Sequence, residues 1–373
     1  MYNYNYNIQY TKTTNVTNKL PQSKNCVVFI HKQDDNETDI ELENNIRYIL
    51  NKKNHQVIGD KSSNAYALLI NGYKKDNVVI KVPRKRENKG FVDSLEYEYL
   101  VGIYLKNHID KNCVNFQKVY GYIKYKCSET NKKTNKQISE EYLAIERIKP
   151  GISFRQFFDP DIFMDTTVIK KKTPPKNMNK LIKSLLLQVY CSLAYAQSCC
   201  GYVHYDLHFG NVLIRKLTAE DNYDISDYNG DDSSFNETGY IDYTFYPDIL
   251  NVIKLKEKQK KNKNDDVNIQ QSLTTFRVPI INNYVSTIID YGRSRVAGSF
   301  DIFKKKPELL KPYDFLKEKK VYISEFDPLF DSNKFNANIV KFIRDKNGHV
   351  INIPNTFNTL YDVIIWFDEH MII

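Results

Sequence analysis

Residues 204–214 read HYDLHFGNVLI, a polar loop sequence that runs straight into an apolar triplet. Asp206 stands between two histidines, with Asn211 five positions on. A carboxylate can take the proton of an attacking hydroxyl, and an amide oxygen can hold a hard cation. The same residues in a plain turn would carry no chemistry, so the surroundings decide. Just upstream, LIKSLLLQVYCSLAYAQ (181–197) sets Ile182, Leu185, Leu186, Val189, Leu193 and Ala196 at three- and four-residue intervals. That spacing predicts a helix with one buried face. Just downstream, VLI predicts a short buried strand. Held between two such elements, the loop is far more constrained than the bare pattern DLHxxN.

Three more pieces lie along the chain. AYALLI (65–70) and VVIKVP (78–83) flank an Asn-Gly turn region and predict a β-hairpin. Its second strand carries Lys81 among apolar residues. A lysine buried there needs an anion, although an edge-strand lysine can also snorkel to solvent. The helix predicted over 92–107 offers two partners. Glu98 faces Val101 and Leu105 in the i+3 and i+7 sense, and Glu96 lies on a different helical face. VYGYIKY (119–125) and YLAIERI (142–148) predict two further strands. Lastly, FRVPIINNYVSTIIDYG (276–292) predicts two short strand-like runs that end at Asp290, with Tyr291 and Gly292 behind it. A carboxylate at a strand end beside glycine is placed to grip a magnesium ion.

Taken singly, residues such as Lys81 and Asp290 read more readily as structural. In order, a strand lysine, a helix glutamate, a His-x-Asp loop with asparagine and a strand-Asp-x-Gly make a phosphoryl-transfer set. A hydrolase built on Asp206 and Asp290 alone would leave Lys81 and Asn211 without a role. On these motifs, over roughly residues 55–345, the chain resembles the protein-kinase-like superfamily. It is most similar to the serine/threonine kinases encoded by giant DNA viruses of the mimivirus type. The fold this implies is α+β and two-lobed. A β-rich N-lobe at 51–149 would precede a mostly helical, shortened C-lobe at 150–373, with a long insertion at about 217–275 between catalytic loop and DYG.

The resemblance also implies roles. Lys81 would hold the α- and β-phosphates of ATP, and Glu98 would brace it. Asp206 would orient or deprotonate the acceptor hydroxyl, and Asn211 and Asp290 would hold Mg2+. Glu146 and Ile148 would fall in the hinge that meets adenine, with Ile145 near the gatekeeper position. Asp331, in DPLFDSNKF (327–335), would open a helix and anchor the catalytic loop. Several positions depart from the family pattern. The stretch IGDKSSNAYAL carries only Gly59 where a phosphate-cradling loop usually has several glycines. Tyr205 stands where regulated kinases carry arginine, and DYG replaces DFG. His208 stands where protein kinases carry a lysine for the γ-phosphate; HxDLHxGN also occurs in small-molecule phosphotransferases of this fold. The substrate implied is a protein hydroxyl, with a small molecule as the alternative and a non-catalytic scaffold as a third reading.

Bulk properties bound the rest. The 373 residues suffice for one large domain or two lobes. No apolar run reaches eighteen residues, so no membrane span is expected. The start, MYNYNYNIQY, lacks the basic and apolar regions of a secretory signal. Six cysteines without ligand-like spacing suit free thiols in a reducing compartment. These features predict a cytoplasmic protein, in the host cytoplasm if viral, with packaging in a virion as a further option. The net charge of +9 is spread along the chain rather than gathered into an arm, which argues against a nucleic-acid partner. Oligomeric state leaves no trace in the sequence. Residues 1–50 read as a partly disordered extension, with a strand at 26–30 and a helix at 40–50. Between Glu220 and Asp248 there are nine acidic residues and no Lys or Arg, and six lysines follow between Lys254 and Lys263. Such blocks suit a surface insertion better than a core. Helices are predicted near 302–319, 333–344 and 358–371.

Overall fold

The computed structural model describes residues 11–13, 26–32, 55–58, 65–70, 78–83, 95–109, 113–130, 137–158, 178–218, 237–252, 254–255, 273–296, 327–343, 349–354 and 356–371. The helices expected at 40–50 and 302–319, and Gly59 with the small residues behind it, lie outside them. The chain divides into two compact units, residues 1–102 with 118–147 and residues 103–117 with 148–373.

The first unit is built on an antiparallel sheet. Its strands are β1 (Thr11–Thr13), β2 (Cys26–Lys32), β3 (His55–Ile58), β4 (Ala65–Ile70), β5 (Val78–Pro83), β6 (Val119–Thr130) and β7 (Gln137–Glu146), in the order β1-β2-β6-β7-β5-β4-β3. The predicted hairpin is present, with Ala67 opposite Lys81 and Leu68 opposite Ile80. Residues 78–80 are all buried, because β5 lies between β4 and β7 and packs on both faces. Two strands come from the segment expected to be an extension, since β2 pairs with β6 and carries β1 on its outer edge. Helix α1 (Leu95–His108) starts with Glu96 and Glu98 and ends with Lys106 and His108. Those charges complement its macrodipole. Leu95, Tyr97 and Val101 on α1 are buried, as is Glu98.

The second unit centres on α3 (Met178–Cys200), the helix expected from the apolar periodicity. It packs against β10 (Glu237–Phe245), β11 (Thr274–Ile281) and β12 (Tyr284–Ile288), and against α5 (Leu360–His370). With β8 (Pro150–Ser153) and β9 (Val212–Lys216), these strands form a second antiparallel sheet in the order β10-β11-β12-β9-β8. A sheet therefore stands beside the helices of a unit expected to be mostly helical. β10 comes from the acidic block. Tyr243 and Phe245 are buried core residues, so this part of 217–275 is structural rather than a surface insertion. Asp242, on the opposite face, forms a bidentate pair with Arg277 of β11 at 2.7 Å.

The unit also contains a buried polar network. Asn115 donates to the Ser286 carbonyl at 2.8 Å and accepts from the Tyr243 hydroxyl at 2.8 Å. Gln188 of α3 accepts from Ser286 N–H at 2.9 Å and donates to Ser184 at 3.1 Å. Burial of these groups is tolerated because each meets a partner. Among the described residues no helix is long and apolar enough to cross a membrane. Cys113, Cys191, Cys199 and Cys200 are free thiols.

Candidate active site

In the first unit, β5 and α1 bring together the residues singled out in the sequence. Lys81 Nζ lies 2.7 Å from Glu98 Oε2, with the side chains 15% and 3% exposed. An ion pair this sheltered keeps the ammonium in one position. Ile145 on β7 pairs with Val79 on one side and Val119 on the other, and is buried. Glu146, the last residue of β7, exchanges two hydrogen bonds with Lys118. Its N–H donates to the Lys118 carbonyl at 2.9 Å, and its Oε2 accepts from Lys118 N–H at 3.1 Å.

Ile148 begins the second unit and is buried. Its carbonyl oxygen would stand 2.6 Å from a Cβ at Gly151, whose φ is +75. Only glycine fits there.

The loop 204–211 is tied down at almost every residue. Asp331 has no solvent exposure and lies in the first turn of α4 (Phe330–Phe342). Its two oxygens accept the backbone N–H of His204 at 2.6 Å and of Tyr205 at 2.9 Å. Burial pushes the Asp331 carboxyl up to about 7, against the pull of those two donors. Tyr205 has a φ of 59, a left-handed conformation that these bonds hold in place. Its ring packs against that of Phe330 in a tilted arrangement, with centroids 4.9 Å apart. Phe209 points into the unit's core, 5.1 Å from the Phe335 ring of α4 and 5.8 Å from Phe154 of the short helix α2 (Phe154–Phe158). An aromatic anchor thus holds one end of the loop and a carboxylate the other.

His204 fixes the loop to the segment that carries Asp290. Its Nε2 is 2.8 Å from the Ile289 carbonyl, and its Nδ1 accepts from Asp206 N–H at 3.2 Å. Both contacts require the neutral ring with its proton on Nε2. Burial accordingly lowers the His204 pKa from 6.5. The Ile289 N–H donates to the Asn211 carbonyl at 3.0 Å, a second tie between the two segments. Asp290 lies beyond the end of β12, at the N-cap of a 3-10 turn, with φ 66. The Tyr291 hydroxyl donates to the Gln117 carbonyl at 2.9 Å. That bond gives the tyrosine of DYG a function that phenylalanine could not perform.

Asn211 donates its amide N–H to the Asp206 carbonyl at 3.0 Å, which leaves its amide oxygen as the acceptor for another group. Asn211 and Asp290 would thus offer one amide oxygen and one carboxylate. Such a hard-oxygen pair suits Mg2+, which keeps several waters of its own. No cluster of three or more His, Cys, Asp or Glu suited to a metal occurs among the described residues. His208 caps the turn that follows, its Nδ1 accepting from Gly210 N–H at 3.0 Å.

Two cations that the sequence reading passed over meet Asp206. Lys334 Nζ on α4 lies 2.6 Å from Oδ1, and Arg293 Nη1 lies 3.4 Å from Oδ2. Arg293 follows DYG directly and could have been noticed as a charge beside the motif. Lys334 is 128 residues from Asp206, and its sequence gives no signal of the contact.

No protein-family model matches the chain. No curated protein matches it either. Solved structures similar to it include WaaP in complex with acyl carrier protein, at 8% identity and a TM-score of 0.33, covering 80% of this chain and 76% of that one. A kinase domain is similar at 14% identity and a TM-score of 0.31, covering 66% of this chain and 53% of that one. At these scores neither likeness bears on the fold or activity of this protein.

Proposed function

We propose that the protein is an ATP- and Mg2+-dependent phosphotransferase that moves the terminal phosphoryl group to a substrate hydroxyl, a serine or threonine of a protein in the first instance. One observation supports this above the rest. Asp206, Asn211 and Asp290 lie on two segments joined by the His204–Ile289 and Ile289–Asn211 hydrogen bonds, so a proton acceptor and two oxygen ligands share one rigid frame. Such pre-positioning is what phosphoryl transfer asks of a protein, because the chemistry is mostly orientation and charge stabilisation.

In this reading Asp206 accepts a hydrogen bond from the acceptor hydroxyl and takes its proton as the new O–P bond forms. The bond from the γ-phosphorus to the bridging oxygen breaks, and its electron pair leaves with ADP. Asn211 and Asp290 would hold the magnesium ion, which would screen the phosphate charge when bound. Lys81, fixed by Glu98, holds phosphates of the nucleotide, and Ile145, Glu146 and Ile148 contribute to adenine binding.

A second reading, transfer to a small alcohol such as an amino sugar or a choline-like compound, draws on His208. That residue caps its own loop through Nδ1, where a lysine would reach for the γ-phosphate.

The test uses ATP labelled at the γ-phosphate, with a mixed protein acceptor and a panel of aminated alcohols. The wild type should label one class, and Asp206→Asn should reduce labelling at least a thousandfold, in keeping with loss of both base and orienting group. Equal labelling by both proteins would overturn the assignment of Asp206. No labelling of either class would favour a scaffold.

A further inference from the structure

Phosphoryl transfer at Asp206 needs a cation beside the group in flight, because charge spreads over its oxygens in the transition state. The loop itself does not supply one. His208 uses Nδ1 to cap the turn by accepting from Gly210 N–H. We propose that Lys334 of α4 is this cation, meeting the transferred phosphate directly while it holds the Asp206 carboxylate in place. The inference rests on the phosphotransferase reading above and adds a residue to it.

Four observations carry it. Lys334 Nζ sits 2.6 Å from Asp206 Oδ1, so any hydroxyl oriented by Asp206 is within a few ångströms of the ammonium. Lys334 lies three residues after Asp331, on the same helix. One turn of α4 therefore fixes the loop backbone through Asp331 and the reactive carboxylate through Lys334. The lysine is 37% exposed, so it contributes little to stability as an ion pair and is open to an incoming anion. Its three N–H donors allow it to keep Asp206 and bind a phosphate oxygen together. Arg293, at 3.4 Å on Oδ2, makes the looser contact. In the transfer the hydroxyl proton passes to the Asp206 carboxylate, and Lys334 acts only through its N–H donors.

The test is calorimetric and needs no acceptor. Binding of Mg·ADP and of the Mg complex of ATP with a non-cleavable imido bridge between its β- and γ-phosphates is compared in the wild type, Lys334→Met, Lys334→Arg and Arg293→Met. The expected result is that Lys334→Met weakens the triphosphate analogue about ten- to a hundredfold, a charged hydrogen bond's worth, with ADP affinity unchanged. Lys334→Arg should restore most of it. Unchanged ADP binding also shows that the variant is folded. If Lys334→Met binds both nucleotides as the wild type does, or if the discrimination is lost in Arg293→Met instead, the assignment to Lys334 is wrong and the phosphotransferase reading stands. If Lys334→Met weakens both nucleotides equally, its effect is structural and the assignment is again wrong. If the wild type binds neither nucleotide, both inferences fall together.

Discussion

The carboxylate of Asp331, sealed from solvent, accepts the backbone N–H of His204 at 2.6 Å although 127 residues separate them in the chain. With the companion bond to Tyr205, it sets the backbone from which Asp206 projects. Asp331→Ala leaves two buried N–H groups without an acceptor, a loss of about 2–4 kcal/mol in urea unfolding. Asp331→Asn keeps one acceptor oxygen and should lose about half as much. A destabilisation by alanine of under ~0.5 kcal/mol would mean that the loop does not depend on Asp331.

Lys81 and Glu98 should be coupled. Lys81→Met takes from a buried carboxylate the cation 2.7 Å away, and roughly 3 kcal/mol of stability with it. Glu98→Gln alone should cost somewhat less, since an amide needs no counter-charge. In a double-mutant cycle the pair should show a coupling energy above ~1 kcal/mol. Additive losses would contradict a direct interaction.

His204 gives the stability a pH dependence of known sign. The folded ring is neutral with both nitrogens engaged, whereas the unfolded chain takes up a proton near pH 6.5. Acid therefore favours the unfolded chain. The contribution is complete above pH 6.5 and is lost as the pH falls through the lowered folded value. Asp331 runs the other way: its carboxyl is raised to about 7, so its contribution grows as the pH falls below that value. His204→Gln keeps Asp331, so the difference between the two proteins isolates the histidine. Wild type should lose more stability than His204→Gln between pH 7 and pH 5 in parallel denaturant titrations; equal losses would contradict the neutral-ring assignment.

Tyr243 tests whether the acidic segment belongs to the core. Its hydroxyl donates to the buried Asn115 side chain at 2.8 Å. Tyr243→Phe should destabilise by about 1–2 kcal/mol, because Asn115 Oδ1 loses a donor. A neutral substitution would mean that β10 is dispensable to the second unit.

How much of this was legible in the sequence depended on whether the relevant periodicity was local. The hairpin of β4 and β5, helix α1 and helix α3 show apolar patterns within one window, and they form where the pattern places them. β10 was hidden by a count of charge. In ETGYIDYTF the outward positions Tyr240, Asp242 and Thr244 are exposed while Tyr243 and Phe245 are buried, a period of two that a tally of acidic residues averages away. The strands at 11–13 and 26–32 join the sheet through β6, nearly a hundred residues later, a pairing that no local pattern announces. The residues of the loop could be singled out because they share one short motif. Lys334 could not, since a lysine on a polar helix face reads as a solvated charge until the fold sets it beside Asp206.

The most direct test of the account is calorimetry of ATP binding, with and without Mg2+, on the wild type and on Asp290→Asn. The account predicts binding that requires Mg2+ and is weakened at least tenfold in the variant, about 1.4 kcal/mol. Absence of binding by a demonstrably folded wild type at millimolar ATP, or equal binding by the two proteins, would contradict it.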